Sequence, residues 1–250
     1  MAVAVVTGAS SGIGAATARA FGAAGFTVVL AARRQERLDQ VVQEILEAGG
    51  TAHAVAVDVT SDDDVAALKQ FTADLGGVDV LVNNAGGAWG MESVADAVEE
   101  KWRWMYEVNV LGTLRVTRAL LPQLTTTQGC IVTVGSVAGR QVYPGGAGYN
   151  AAKHGERALT EVLRQEIAET GVWVTEVDPG RVHTDFSLVR FDGDATQADA
   201  VYAGVQSLTA DDVAEIIVFV ATRPPRVNID FLQVTPIDQV GAKPKGLDDE

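Results

Sequence analysis

The sequence predicts an α/β protein: one domain built on a doubly wound parallel sheet of seven strands, with helices on both faces. Short apolar runs rich in valine alternate with helical patterns along the chain. These runs are apolar on both faces, as expected for parallel strands covered by helices on each side. No repeat or linker divides the chain. We therefore expect a single domain over residues 1–240 and a polar tail over residues 241–250.

Composition excludes several classes of partner. The chain has 250 residues, of which 47% are hydrophobic, which is ample for a core, and its formal net charge is −14. This charge argues against nucleic acid and anionic membranes as partners. No apolar run approaches the roughly 20 residues that span a bilayer, and the first predicted strand begins at residue 2, which leaves no room for a signal peptide. We expect a cytoplasmic protein.

The elements follow one another in a regular order. We expect strands at residues 2–6, 27–32, 51–57, 79–82, 130–134, 172–177 and 229–234. We expect helices at residues 15–24, 35–48, 62–75, 98–121 and 147–169. Gly49 and Gly50 are a helix stop signal, Ser61 is placed to cap the third helix, and Pro122 is expected to end the fourth.

A glycine-rich turn joins the first strand to the first helix. Gly8, Gly12 and Gly14 give the spacing G-x-x-x-G-x-G. Glycines allow a sharp turn and let a phosphate approach the backbone, while the free N–H groups and dipole of the following helix attract an anion. The alternative is a plain turn. The position after a strand favours a dinucleotide site.

Polar residues follow the next two strands, at the edge of the sheet where such folds bind ligands. Arg33 and Arg34 stand where an acid would meet the ribose diol of NAD, and two guanidinium groups suit a 2′-phosphate instead. The alternative is a solvated helix start, but cations there oppose the helix dipole, which favours phosphate binding. Asp58 and Val59 either cap the next helix or contact an adenine.

Ser136 follows the fifth strand, and Tyr149 and Lys153 lie one helical turn apart on the next helix. A neighbouring ammonium favours a phenolate, so the pair can act as a general acid and base near neutral pH. An ordinary helix with a surface tyrosine and lysine would show the same spacing.

The combined motifs resemble those of the short-chain dehydrogenase/reductase superfamily. The resemblance covers essentially the whole chain and rests on the glycine loop, Asn83-Asn84-Ala85-Gly86, Asn109, Ser136, the Tyr149-x-x-x-Lys153 pair and the stretch from Pro179 to Thr184. It implies a Rossmann-type fold and an oxidoreductase that interconverts an alcohol and a carbonyl with a nicotinamide cofactor. A homotetramer is also implied, and the helices at 98–121 and 147–169 carry apolar residues on more than one face.

The resemblance also implies the role of each catalytic residue. Tyr149 would exchange a proton with the substrate oxygen, and Ser136 would hydrogen-bond the same oxygen. Lys153 would lower the pKa of the tyrosine and bind the nicotinamide ribose. Asn109 would hold a water molecule that connects Lys153 to solvent.

The implied cofactor is NADP. The loop at residues 8–14 would take the pyrophosphate, Asp58 and Val59 the adenine, and Val182 and Thr184 the carboxamide. The residues implied to bind it are Gly8, Ser10, Ser11, Gly12, Ile13, Gly14, Arg33, Arg34, Asp58, Val59, Asn84, Gly86, Tyr149, Lys153, Pro179, Gly180, Val182 and Thr184.

A finer resemblance concerns the substrate. Residues 186–194, Leu208-Thr209 and residues 227–229 look like the subgroup that acts on serine and other 3-hydroxy acids with NADP. Residues 185–207 mix apolar and polar side chains and suit a lid over the substrate. Arg181 or Arg190 could pair with a substrate carboxylate, or both could be solvated at the rim.

Alternatives stay open at this point. One is an aldehyde or ketone reductase with a bulkier apolar substrate, and another is a non-catalytic NADP sensor. Trp89 and Met91 are expected in the pocket wall, whereas Trp102 and Trp104 are expected to pack. The three histidines are scattered and no acid cluster surrounds them, so we expect no metal.

Overall fold

A computed structural model describes residues 1–239 of the chain. Its seven strands form one parallel sheet in the order β3-β2-β1-β4-β5-β6-β7, with helices on both faces, which confirms the predicted fold class. The strands are β1 Val3–Thr7, β2 Thr27–Ala32, β3 Thr51–Ala56, β4 Val80–Asn83, β5 Cys130–Val134, β6 Trp173–Pro179 and β7 Phe231–Val234. The predicted tail, residues 241–250, lies outside the described residues.

The sheet is apolar on both faces because it separates two cores. In β1, Ala4 and Val6 face one core, while Val3 and Val5 face the other. All five residues of this strand are buried. Alternation therefore distributes side chains between two helical layers instead of between core and solvent.

The helices divide between these layers. Their bounds are α1 Gly12–Ala23, α2 Gln35–Glu47, α3 Asp62–Asp74, α4 Glu99–Tyr106, α5 Thr113–Thr127, α6 Ala147–Glu166, α7 Phe186–Arg190, α8 Ala195–Ala200 and α9 Ala210–Ala221. Side chains of α1, α2 and α9 fill the first core, and those of α3 and α5 fill the second. No helix within residues 1–239 has the length and apolar character needed to cross a bilayer.

The prediction that Pro122 ends a helix is wrong. It lies inside α5, which continues to Thr127. Leu120 and Leu124, on either side of the proline, are fully buried in the second core. Their burial outweighs the backbone hydrogen bond that proline cannot donate. The expected single helix at 98–121 is thus α4, a π-helix at Glu107–Gly112 and α5 in succession.

Helix α9 was not predicted, although its sequence carries a signal. Thr209 and Asp212 form a capping box, in which each side chain accepts from the backbone N–H of the other residue. Val213 and Ile217 then pack into the first core.

The strand order determines how the loops after β1 and β4 lie at the edge of the sheet. The chain moves from β1 to β2 and β3 on one side, and from β4 to β7 on the other. The loops after β1 and β4 therefore diverge at the carboxyl edge and leave a crevice between them.

Candidate active site

A cavity of about 820 Å³ opens at this edge of the sheet. Every predicted site residue lines it except Gly14 and Asn109. The lining residues among those predicted are Gly8, Ser10, Ser11, Gly12, Ile13, Arg33, Arg34, Asp58, Val59, Asn84, Gly86, Ser136, Tyr149, Lys153, Pro179, Gly180, Val182 and Thr184. One continuous space thus connects the glycine loop to the tyrosine and lysine.

The first end of the cavity is an anion-attracting surface. Helix α1 begins at Gly12, and no side chain among the described residues caps its N-terminal N–H groups. The Arg34 guanidinium lies beside this terminus, where Nη2 donates to the hydroxyls of Ser10 at 2.9 Å and Ser11 at 3.0 Å. Arg33 is exposed on the same rim.

Two glycines of the loop are needed for conformation and close packing. Gly8 has a φ of +66°, and Asn84 fixes its neighbourhood because its Nδ2 donates to Thr7 O at 2.9 Å. A Cβ on Gly14 would lie 2.4 Å from Gly8 O. Gly14 therefore acts behind the cavity wall, where it lets α1 approach the loop.

Asp58 does not cap the following helix. Its Oδ1 accepts from the Thr60 backbone N–H at 2.9 Å and from the Thr60 hydroxyl at 2.7 Å, and these bonds outweigh burial and lower its pKa. Ser61 caps α3 as predicted, accepting from Asp64 N. Val59 is buried beside Gly112, where a Cβ would lie 2.7 Å from the valine Cγ2.

The end of β6 closes the cavity from the other side. Gly180 N donates to Val234 O at 2.7 Å, which keeps the Pro179-Gly180 turn against β7. Thr184 lies over Gly12, since a Cβ there would be 3.3 Å from the threonine side chain. Val182 forms an isolated parallel bridge with Leu208.

At the second end of the cavity, Ser136, Tyr149 and Lys153 come together as predicted. Tyr149 is 8% exposed, and its pKa is raised by burial, against the opposing effects of the Lys153 ammonium and of a hydrogen bond with Ser136. The pKa of Tyr149 thus lies above its ordinary value near 10, although Lys153 by itself acts to lower it, as expected.

Lys153 is held by partners that sequence analysis missed. Its Nζ donates to Val134 O at 3.0 Å and to Glu156 Oε2 at 2.6 Å, all within the buried interior. Burial lowers the pKa of Lys153, but the Glu156 carboxylate and Tyr149 outweigh it and raise the pKa. The available signal was an acid one helical turn after the lysine, on the face that also carries Tyr149.

Asn109 lies behind the cavity, in the π-helix. Its Nδ2 donates to Gly87 O at 2.9 Å and to Met105 O at 2.6 Å, while its Oδ1 accepts from Gly87 N at 3.2 Å. A Cβ on Gly86 would lie 2.5 Å from the same Oδ1. Asn109 thereby fixes the loop after β4, and π-helical turns of this kind are frequent at functional sites.

Two further buried acids lie on β6 and interact electrostatically with the Lys153–Glu156 pair. Glu176 and Asp178 on β6 both pair with Arg140, whose Nη2 donates to Glu176 Oε2 at 2.7 Å and whose Nε donates to Asp178. Burial and the Asp178 charge raise the pKa of Glu176 to about 7. Burial also raises the pKa of Asp178.

The two candidate arginines differ in their surroundings. Arg181 is 9% exposed and is fully engaged: its guanidinium contacts Asp238 at 3.1 Å, Gln206 O and Ser207. Arg190 Nε donates to Gly90 O at 3.2 Å and Nη1 to the Tyr143 hydroxyl at 3.1 Å. Its Nη2 is buried with no hydrogen-bond partner among residues 1–239.

Arg190 and aromatic side chains enclose the space above the tyrosine. The Arg190 guanidinium lies 5.9 Å from the Tyr149 ring centroid, and the Phe186 ring lies 5.5 Å from it. Met91 lines the cavity as predicted. Trp104 lines it too, contrary to the prediction. Trp89, which was also predicted to line the cavity, instead packs edge-on against Trp104 at 5.8 Å.

Comparison with known proteins identifies the family. Residues 2–194 match the family model described as short chain dehydrogenase. The chain is 58% identical over 241 residues to an uncharacterized oxidoreductase of Mycobacterium tuberculosis, covering 96% of this chain and 93% of that one. It is 42% identical over 237 residues to a sulfoacetaldehyde reductase of Chromohalobacter salexigens, with 94% and 93% covered.

A solved structure is similar throughout. The closed form of a serine dehydrogenase complexed with NADP+ superposes with a TM-score of 0.90 at 36% identity, covering 96% of this chain and 97% of that one. The predicted resemblance is therefore confirmed, and the chain belongs to the short-chain dehydrogenase/reductase family of oxidoreductases.

Proposed function

We propose that this oxidoreductase uses NADP(H) to interconvert an alcohol and a carbonyl on a small substrate that carries an acidic group, such as a 3-hydroxy acid. The observation that carries the proposal is one continuous cavity, which has Arg33, Arg34 and the N-terminus of α1 at one end and the catalytic side chains Ser136, Tyr149 and Lys153 at the other. The similar structure complexed with NADP+ supports the same cofactor here.

The residues at the first end fit a phosphorylated dinucleotide. The uncapped N–H groups of α1 suit the pyrophosphate, and Arg33 and Arg34 suit the 2′-phosphate. Neither Ala31 nor Ala32, which also line the cavity, offers a carboxylate to a ribose diol. When bound, the nicotinamide supplies or accepts the hydride.

The residues at the second end of the cavity carry out the proton transfer. Tyr149 donates its phenolic proton to the carbonyl oxygen during reduction and removes it from the alcohol during oxidation. Ser136 donates a hydrogen bond to the same oxygen as negative charge develops there. Lys153 binds the nicotinamide ribose, and Asn109 holds the loop after β4 in place through its bonds to Gly87 and Met105.

Arg190 supports the proposed substrate class. A buried guanidinium nitrogen without a partner is costly, and a bound carboxylate or sulfonate would satisfy it. This nitrogen belongs to a side chain that lines the cavity near Tyr149. The relatives named for serine and sulfoacetaldehyde act on small molecules with such groups, which favours this class over a bulky apolar substrate.

We also propose that the chain forms a homotetramer. Tyr106, Leu114 and Val162, on α4, α5 and α6, are 48%, 38% and 50% exposed. The opposite side of α5 is already buried against the sheet. An apolar outer face of this kind suits a neighbouring subunit.

Tyr149→Phe removes the proposed acid and base with little change in volume. We expect kcat to fall by about 10²- to 10⁴-fold, because general acid–base catalysis contributes roughly that factor. NADPH affinity, measured by fluorescence titration, should stay within about twofold. Tyr106→Phe, at an exposed tyrosine, is the control, and substantial turnover by Tyr149→Phe would remove Tyr149 from the proposed role.

Arg33→Ala combined with Arg34→Ala should erase most of the preference for NADP over NAD. We expect at least about 100-fold preference in the wild type, since each charge-assisted hydrogen bond contributes roughly 1.5–3 kcal/mol. Dissociation constants for both cofactors, by calorimetry, measure the effect, with Arg19→Ala as the control. Equal affinity of the wild type for NAD and NADP would show that these arginines are ordinary surface charges.

Arg190→Gln should raise KM for acidic substrates by roughly 10- to 100-fold and change KM for neutral alcohols far less. The reason is the loss of the charge that faces the substrate anion. Steady-state kinetics on a hydroxy acid and a neutral alcohol of the same length give the comparison, with exposed Arg103→Gln as control. Equal effects on both substrate types would leave the anion-binding role without support.

Light scattering at micromolar concentration should give four times the chain mass of 26.2 kDa. Val162→Glu, on the exposed apolar face, should weaken assembly, because it places a charge within a desolvated contact. Glu161→Lys beside it is the control for a change of charge alone. A purely monomeric wild type would refute the tetramer.

A further inference from the structure

Glu156 is a buried acid to which the proposed mechanism assigns no task. It lies one helical turn after Lys153 on α6 and is 1% exposed. Its Oε2 accepts from Lys153 Nζ at 2.6 Å, and Thr113 Oγ1 lies 3.4 Å from its Oε1. Both side chains of this ion pair are buried; burial raises the pKa of Glu156, and the Lys153 ammonium opposes that rise.

We propose that Glu156 is a positioning residue that neutralises the charge of Lys153 and thereby keeps Tyr149 a phenol, ready to donate its proton in carbonyl reduction. This inference rests on the proposed function of Tyr149. It adds a preferred protonation state to the active site, and with it a bias toward reduction near neutral pH.

The argument begins with what an unpaired ammonium would do. A lone buried charge beside Tyr149 would favour the phenolate strongly, because little solvent screens it. When Glu156 is ionised, the Lys153–Glu156 ion pair has no net charge. The negative charge of Glu156 then opposes part of the effect of the Lys153 ammonium on the Tyr149 hydroxyl. Burial is the largest influence on Tyr149 and raises its pKa, and the Glu156 charge acts in the same direction with the smallest share.

Other charged groups face this pair from neighbouring elements. On β6, the Asp178 charge attracts the Lys153 ammonium and repels the Glu156 carboxylate. The Glu176 charge also repels that of Glu156. Arg140 partly compensates both β6 acids. Asp178 also favours the protonated form of Lys153, and Val134 O accepts a hydrogen bond from the Lys153 Nζ.

The groups around Tyr149 itself are few. Ser136 and Lys153 favour its phenolate, whereas Tyr143 and Glu156 oppose it. The Arg190 guanidinium stands 5.9 Å from its ring centroid. Among these, Glu156 is the buried negative charge on the same helix face as Tyr149 and Lys153.

The chemical consequence is that Tyr149, as a phenol, is a proton donor suited to carbonyl reduction. In reduction, the carbonyl carbon gains a hydride from the reduced nicotinamide and its oxygen takes the Tyr149 proton. The resulting tyrosinate regains a proton from solvent, which balances the step. A phenol at neutral pH is ready for this reaction, whereas alcohol oxidation needs the phenolate and becomes favourable only at alkaline pH.

The test is Glu156→Gln, which removes the charge and keeps the shape. Tyrosine ¹³Cζ NMR titration of the cofactor-free protein is practical because the chain has four tyrosines, and Tyr149→Phe assigns the signal. We expect Tyr149 to titrate above its ordinary value near 10 in the wild type and at clearly lower pH in Glu156→Gln.

Kinetics give a second measurement. The rate of alcohol oxidation at pH 7 should rise by roughly three- to tenfold in Glu156→Gln, because the phenolate fraction rises tenfold for each unit by which the pKa falls. The pH profile for oxidation should shift to the acid side. A residue with a merely structural role would not move this profile.

Two further variants make the result decisive. Glu161→Gln removes a charge on the same helix, from a half-buried pair with Arg157, and should leave both titration and profile unchanged. Glu156→Asp keeps the charge and should restore wild-type behaviour. An unchanged or raised Tyr149 titration in Glu156→Gln would overturn the proposal.

If Glu156→Gln does not fold, the wild-type titration can still refute the proposal, and Glu156→Asp supplies the variant. A wild-type Tyr149 that ionises near neutral pH would contradict the inference directly. Active Tyr149→Phe would instead refute the proposed function, while the NMR titration would still report on Glu156.

Discussion

Lys153 carries its ammonium into the interior, where only 5% of the residue is exposed, so protein groups must meet its charge. Val134 O can do so because β5 ends there, and Glu156 can do so because it lies one turn further along α6. The same helix presents Tyr149 to the cavity. The buried Lys153 ammonium therefore links the end of β5, the position of α6 and the surroundings of Tyr149.

At the opposite end of the cavity, near the glycine loop, local groups counteract the net negative charge of the chain. The chain carries a formal charge of −14, which opposes any phosphorylated ligand at long range. Close to the glycine loop, however, the N-terminus of α1 is uncapped and Arg34 is fixed by two serine hydroxyls. Short-range contacts of this kind are screened less than the distant charges and can dominate the local field.

Sequence patterns predicted the sheet and most of the cavity wall because both depend on local signals. Apolar runs mark the buried strands, and glycines mark the turn at the end of β1. The errors have a common origin in tertiary structure. Pro122 stays helical because Leu120 and Leu124 are buried. The ion pair of Glu156, and the Arg190 nitrogen that has no hydrogen-bond partner within residues 1–239, depend on which groups surround them, and spacing along the chain does not specify those groups.

The most direct measurement of the central claim is the rate of NADPH oxidation by the wild-type protein with short aldehydes of equal length. Some would carry a carboxylate or sulfonate and others would be neutral. We expect kcat/KM to be at least about tenfold higher for the acidic aldehydes, because we propose that their anionic group supplies the acceptor that Arg190 Nη2 lacks among residues 1–239. Faster turnover of the neutral aldehydes, or none of any aldehyde, would contradict the account.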